Sequence, residues 1–344
     1  MDRISFKTPD FTNTFETNFK KLDKSDIQKN PQISNLLENL FASDDNFERL
    51  EICSQINILN KTDERLEVVV NTAQGILYRN LKQFAKSEIC FKNAIKNSKE
   101  QDPYILENYV WLLIDAERFD DAALWNEKIL LIDKNNVGAW SNKGGHFLSH
   151  EKYQEAIDCL DKAIMLDENN TFALHKKGQA FDHLEKYPEA MECYDKVIAI
   201  DGNHVDALCS KGEVLLTVEK YPEAMECYDK VIAIDENHTN ALCNKGGILS
   251  NLEKNQDAIA CFEKVISLDE NDVMAWNNKG VALFELKKYQ DGIACFEKVI
   301  SLDENNANAW FNKGNLLATL GKYPDAIACF EKVISLDENH LKAW

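Results

Sequence analysis

Hydrophobic and small residues return at fixed places every 34 residues through most of the chain. The clearest marker is a glycine, which recurs at six positions: Gly144, Gly178, Gly212, Gly246, Gly280 and Gly314. A fixed period of this length is typical of stacked arrays, in which each unit buries its apolar face only against its neighbours. The sequence therefore predicts an array of similar units in place of an ordinary globular domain.

Each unit is predicted to form two helices joined by a short turn. In the last regular unit, the first helix packs residues that recur at three- and four-residue steps: Ala309, Trp310, Gly314 and Leu317. Pro324 follows a polar turn and suits the first position of a helix, because that backbone N–H has no partner in any case. The second helix carries its own apolar stripe: Ala326, Phe330 and Val333.

The recurrent glycine lies inside the first helix, where glycine costs ~1 kcal/mol relative to alanine. A cost that repeats in every unit needs a reason. A small residue also recurs on the second helix: Ala156, Ala190, Ala224, Ala258, Gly292 and Ala326. We expect the two helices to approach closely where these small residues meet.

Eight units are predicted between residues 68 and 340: 68–102, 103–136, 137–170, 171–204, 205–238, 239–272, 273–306 and 307–340. Residues 31–67 are predicted to form an N-terminal helical cap or a degenerate repeat. Residues 1–30 are polar and lack periodicity, so we expect a flexible arm. Residues 341–344 repeat the first positions of a unit, which predicts a truncated ninth unit or a terminus covered by another chain.

These units resemble the tetratricopeptide repeat, whose pattern places Trp, Leu-Gly and Tyr in the first helix and Ala, Phe, Ala and Pro in and after the second. Trp140, Trp276 and Trp310 occupy the tryptophan position. The resemblance implies an all-α fold, a right-handed α-solenoid or superhelix of antiparallel helix-turn-helix units. It also implies that the first helix of each unit lines a concave groove, which binds a peptide or a helix of a partner.

One departure from that pattern is a lysine in place of the leucine before each glycine: Lys143, Lys177, Lys211, Lys245, Lys279 and Lys313. We expect each lysine to pack its stem beside the core and to place its ammonium group near the acidic turns.

The resemblance places the partner-binding groove on first-helix positions that do not face the core. The predicted residues are Phe172, His175, Gln179, Asp206, Glu213, Asn240, Met274, Asn277, Val281, Phe284, Asn308, Phe311 and Asn315. This strip contains no Lys or Arg, so the expected partner is a neutral or basic segment of a protein or peptide. Two alternatives stay open: an uncommitted solvated surface, and contact with a second copy, including a homo-oligomer through the open C-terminal repeat.

The formal net charge of −19 disfavours nucleic acids and anionic membranes as partners. The N-terminal residues lack the apolar core of a signal peptide, and the chain lacks an apolar run of the ~20 residues that a membrane span needs. The expected location is cytoplasmic.

Seven of the ten cysteines occupy one repeat position: Cys90, Cys159, Cys193, Cys227, Cys261, Cys295 and Cys329. Packed helices lie ~8–10 Å apart, beyond the ~7 Å between Cα atoms that a disulfide allows. We therefore expect thiols that pack as small hydrophobic side chains, which suits a reducing compartment.

The sequence contains no phosphate-binding loop, no G-x-G-x-x-G, no G-x-S-x-G and no C-x-x-C. His146 and His150 share a helix face, but the sequence offers no third ligand at a characteristic spacing, so neither a metal site nor a cofactor is predicted. The leading interpretation is a non-catalytic interaction scaffold or adaptor. The alternatives are a substrate-selecting or regulatory region of a larger enzyme, such as a transferase, and a self-associating structural array.

Overall fold

The computed structural model describes residues 31–60 and 63–336, and within these ranges every regular element is an α-helix. The predicted flexible arm at 1–30 and the predicted start of a ninth unit at 341–344 lie outside the described residues. The chain divides into two compact units, Met1–Ala180 and Phe181–Trp344. Each unit is described by itself.

Among the described residues, the first unit contains eight helices and most of a ninth. They are α1 Pro31–Ala42, α2 Asn46–Leu59, α3 Glu64–Asn80, α4 Phe84–Asn97, α5 Pro103–Asp115, α6 Phe119–Ile132, α7 Val137–Ser149, α8 Tyr153–Leu166 and α9 Thr171–His183. The division between the units falls inside α9. Each helix from α2 to α8 packs on the helix before it in the chain. One continuous core extends from Ile33 in α1 to Ala139 in α7.

The second unit contains the remaining helices: α10 Tyr187–Ile200, α11 Val205–Thr217, α12 Tyr221–Ile234, α13 Thr239–Asn251, α14 Asn255–Leu268, α15 Val273–Glu285, α16 Tyr289–Leu302, α17 Ala307–Thr319 and α18 Tyr323–Leu336. Consecutive helices contact one another from α10 to α18. First helices also touch across repeats, since α15 contacts both α13 and α17. The predicted fold class, an all-α solenoid of helical repeats, is confirmed.

The recurrent glycine makes room for the ring of the second helix. A Cβ atom at Gly314 would lie 2.7 Å from the Phe330 ring, and one at Gly246 would lie 2.6 Å from the Phe262 ring. Real Cβ atoms do not approach other atoms this closely, so a side chain at these positions would displace the ring. The expected close approach of the small residues is present as well, because a Cβ atom at Gly144 would lie 3.3 Å from the carbonyl oxygen of Ala156, and one at Gly292 would lie 3.2 Å from that of Gly280.

The lysine before each glycine joins consecutive repeats. Its Nζ lies 2.5–2.9 Å from a carboxylate oxygen on the second helix of the preceding repeat, in the pairs Lys143–Glu127, Lys177–Asp161, Lys211–Asp195, Lys245–Asp229, Lys279–Glu263 and Lys313–Glu297. The lysine side chains are largely covered, which agrees with the prediction that each stem packs beside the core. The predicted position of the ammonium group was wrong, because the carboxylates lie in helices and not in the turns.

The tryptophan position also connects a helix to the preceding turn. The indole N–H of Trp276 donates to the carbonyl oxygen of Glu270 at 2.9 Å, and that of Trp310 donates to Glu304 at the same distance. The ammonium group of Lys313 lies 5.7 Å from the centroid of the Trp310 ring. A tryptophan here therefore satisfies a turn carbonyl and supports the lysine that bridges two repeats.

Candidate partner-binding surface

The predicted groove residues of the second unit lie on its first helices. We call them the second-unit strip: Asp206 and Glu213 on α11, Asn240 on α13, Met274, Asn277, Val281 and Phe284 on α15, and Asn308, Phe311 and Asn315 on α17. Helix α15 contacts both α13 and α17, so the strip residues on these three helices lie on neighbouring helices.

The strip contains both exposed and half-buried side chains. The exposed members are Asp206, Glu213, Asn240, Met274, Val281 and Asn308, and the half-buried members are Asn277, Phe284, Phe311 and Asn315. Met274 has the largest exposed fraction of its apolar members, 63%. The strip therefore presents apolar side chains between amides and carboxylates.

The two aromatic members are held in place from the second helix of their own repeat. The ring of Phe311 packs on Phe330 with centroids 5.8 Å apart, and the ring of Phe284 packs on Tyr289 at the same separation. These tilted contacts are typical of stable aromatic pairs. A partner would meet rings whose positions are already fixed, so little side-chain entropy would be lost on binding.

An amide pair joins α15 to α17 beside these rings. Asn312 donates from Nδ2 to the Oδ1 atom of Asn277 at 3.4 Å. The bond occupies the carbonyl end of Asn277, and its NH₂ end is the remaining donor. The sequence analysis missed Asn312, although the signal was present, because asparagine fills the same place in other repeats at Asn142, Asn244 and Asn278.

The three predicted residues on α9 belong to the first unit and have a different environment. Phe172 and Gln179 are half-buried, whereas His175 is only 7% exposed. The ammonium group of Lys176 donates to Oε1 of Gln179 at 2.9 Å. Lys176 thus contacts this part of the predicted groove, although the groove residues themselves include no Lys or Arg.

A polar cluster around the buried side chain of Arg79, on α3 and α5, was missed entirely. Arg79 is 2% exposed, and its Nε atom lies 3.4 Å from Oδ2 of Asp115. Burial lowers the pKa of Arg79, and the charge of Asp115 opposes that change. Burial also raises the pKa of Glu107, which accepts a hydrogen bond from Asn136. Arg79, Glu107 and Asp115 belong to the most diverged repeat and to the repeat before it. The same three side chains do not recur together in the regular repeats, so the repeat pattern did not predict their environment.

The row of seven cysteines consists of free thiols, buried except at Cys261, which is half-buried. Burial raises the pKa of Cys90 and of Cys295 to about 11. The thiolate is the reactive form of cysteine, so these residues are unsuited to nucleophilic chemistry at neutral pH.

Comparison with known families agrees with this architecture. The family model described as "Tetratricopeptide repeat" matches residues 273–306 and 307–340. The chain is a tetratricopeptide repeat protein. A second model, "Anaphase-promoting complex, cyclosome, subunit 3", matches residues 149–231 and 183–265. No curated protein sequence gives a significant match.

Several solved structures share the fold of the tetratricopeptide repeats. The C-terminal part of a repeat protein from Cytophaga hutchinsonii gives a TM-score of 0.59 at 14% identity, and the match covers 69% of this chain and 97% of that one. PilF of Pseudomonas aeruginosa gives 0.53 at 19% identity, with 61% and 96% covered. A tetratricopeptide repeat protein from Parabacteroides merdae gives 0.52 at 18% identity, with 70% and 95% covered. At these identities the likeness concerns the fold alone.

Tetratricopeptide repeats are a type of protein-interaction scaffold, because stacked repeats present an extended surface to a partner. Among the helices at 31–60 and 63–336, none has the length and apolar character needed to cross a membrane.

Proposed function

We propose that the chain is a non-catalytic scaffold that binds an extended or helical segment of a partner protein along the second-unit strip. The observation that carries this proposal is the exposed apolar side chain of Met274, which shares α15 with Val281 and lies on a helix next to that of Asn308. An apolar surface with a polar rim is the usual mark of a protein-binding site. Methionine is also common at surfaces that accept varied partners, because its side chain is flexible and polarizable.

The amides of the strip suit recognition of a peptide backbone. Each asparagine offers both a carbonyl acceptor and an NH₂ donor, so it can pair with a backbone N–H or with a C=O group. Asn240, Asn277, Asn308 and Asn315 are distributed over α13, α15 and α17. Contacts of this kind hold the main chain in register, while the apolar members would receive side chains of the partner.

Charge favours a neutral or basic partner segment. Asp206 and Glu213 are exposed on α11, and the whole chain has a formal net charge of −19. An acidic surface attracts basic segments and raises the association rate at low salt, while an acidic segment would be repelled. Binding should therefore weaken as the ionic strength rises.

The test begins with short peptides selected on the full chain from a display library. Dissociation constants of the selected peptides are then measured for the wild type, for Met274→Asp and for the control Ile327→Asp. Ile327 lies on α18 outside the strip, and its exposed fraction of 56% is close to that of Met274. The loss of one central apolar contact should weaken binding roughly tenfold for Met274→Asp and leave the control unchanged. Peptides that bind both variants as tightly as the wild type would place the site elsewhere.

A further inference from the structure

We propose that Asp120, His146 and His150 form a binding site for a divalent transition-metal ion of the zinc class. One ligand atom from each of the three side chains lies within 4.8 Å of the other two. The sequence analysis predicted no metal site because the histidine pair had no third ligand. The fold supplies that ligand, since Asp120 in the first turn of α6 is brought against the end of α7.

The pair of histidines is arranged as metal ligands usually are. His146 lies in the last turn of α7 and His150 is its C-cap, so the rings share a face, with centroids 4.3 Å apart. The Nδ1 atom of His150 lies 2.9 Å from the carbonyl oxygen of His146. An N–H at Nδ1 that donates to this carbonyl leaves the lone pair on Nε2, and metal-ligating histidines are commonly oriented in this way.

The Nε2 atom of His150, which carries the lone pair, lies near the carboxylate of Asp120. The distance from this nitrogen to Oδ1 of Asp120 is 3.7 Å. Ligand atoms around a tetrahedral zinc ion are ~3.3 Å apart when each lies ~2.0 Å from the metal. Asp120 is an exposed side chain at the start of a helix, so rotation about its torsions is enough to close the remaining distance.

His146 supplies the second observation that points to a ligand. Its Nδ1 atom is buried and finds no hydrogen-bond partner among the described residues. A buried ring nitrogen without a partner is costly, and coordination satisfies such an atom.

The donor set selects the class of ion. Two imidazoles and one carboxylate suit zinc and its neighbours in the first transition row, whereas magnesium and calcium prefer oxygen ligands throughout. Three protein ligands leave a fourth position for water or for a donor from a partner. Because the ligands come from α6 and α7, the bound ion would join the second helix of one repeat to the first helix of the next.

The test titrates the full reduced chain with Co²⁺ and with Zn²⁺, and follows Co²⁺ by its absorption spectrum. We expect one equivalent to bind without a thiolate-to-metal band, because the ligands are nitrogen and oxygen. His150→Gln and Asp120→Asn should each weaken Zn²⁺ binding at least about tenfold. His183→Gln, a change at another exposed histidine, should leave the affinity unchanged, and Mg²⁺ should not compete.

Three results would overturn the proposal. One is the absence of saturable binding to the wild-type chain. Another is an affinity that is the same in His150→Gln and Asp120→Asn as in the wild type. The last is a thiolate-to-metal band that survives in both variants, which would assign the ion to the cysteines. Circular dichroism of the variants shows whether each is folded, and a helical spectrum is expected because all three ligands lie at the surface or half-buried.

Discussion

Nζ of Lys245 lies 2.6 Å from Oδ1 of Asp229, and this pair joins two consecutive repeats of the second unit. Equivalent pairs occur at each regular repeat junction within a unit, so the interaction is a feature of the array. The lysine is about three-quarters covered and the aspartate about half exposed. Solvent therefore screens the pair, and an energy typical of surface ion pairs is expected.

The first prediction is a small but measurable coupling between these two side chains. A double-mutant cycle with Lys245→Gln and Asp229→Asn should give about 0.5–1 kcal/mol of interaction in the free energy of unfolding. The value should fall when the ionic strength is raised, because both groups are reached by solvent. Lys220→Gln, at an exposed lysine before α12, is the control for loss of charge alone. A coupling of zero at low salt would show that the pair does not stabilise the junction.

The second prediction uses two adjacent glycines in α13. Gly246→Ala places a Cβ atom 2.6 Å from the Phe262 ring, whereas a Cβ atom at Gly247 would meet nothing within 4 Å among the described residues. Gly246→Ala should destabilise the protein by about 1–3 kcal/mol through overpacking. Gly247→Ala should stabilise it by up to about 1 kcal/mol, because alanine favours the helix. Urea denaturation of the two variants measures the difference, and equal effects would contradict the role assigned to the aromatic position.

The third prediction concerns Glu88, whose Oε1 atom accepts hydrogen bonds from Lys92, Arg118 and Tyr109 at 2.9–3.0 Å. Burial alone would raise the pKa of Glu88, but these hydrogen bonds outweigh it and lower the pKa to about 2. The folded pKa lies below the unfolded value of ~4.3, so this stabilisation is present above that value and is lost as the pH falls toward 2.

The stability difference between the wild type and Glu88→Gln should therefore shrink on acidification. Between pH ~6 and pH ~3 the expected decrease is about 1 kcal/mol, after a discount for the part of Glu88 that solvent reaches. Other carboxyl groups titrate in both proteins and cancel in the difference. Chemical denaturation at several pH values gives the profile. A difference that stays constant over this range would show that Glu88 is not held ionised by its three donors.

The repeat pattern predicted the helices and the packed positions because each unit is copied several times, so chance matches are averaged out. The pattern could not predict which side chain contacts each buried position. The atoms nearest to a Cβ at Gly314 belong to the ring of Phe330, a contact that the pattern of small residues did not predict, since the angle between helices decides which atoms converge. The predicted position of the Lys245 ammonium group was wrong for a similar reason, because its partner Asp229 lies in another repeat.

Residues that occur in one repeat only were the hardest to interpret. Arg79 is buried and pairs with the exposed Asp115 in repeats that depart from the pattern, where no second copy indicates the environment. Asp120 and His146 are far apart in sequence and meet only because α6 packs on α7. The predicted strip residues, such as Met274 and Asn277, could be placed on first helices, but their partner depends on a molecule that the sequence does not contain.

Photo-crosslinking tests the central claim most directly. A photoreactive amino acid is placed at Met274 in one variant of the full chain and at Ile327 in another, two positions of similar exposure. Each variant is irradiated with a peptide selected on the wild-type chain, and the crosslinked residues are mapped by mass spectrometry. The account predicts a crosslink from position 274, lost when unlabelled peptide competes, and little from position 327. Equal labelling at both positions, or labelling at 327 alone, would contradict binding along the second-unit strip.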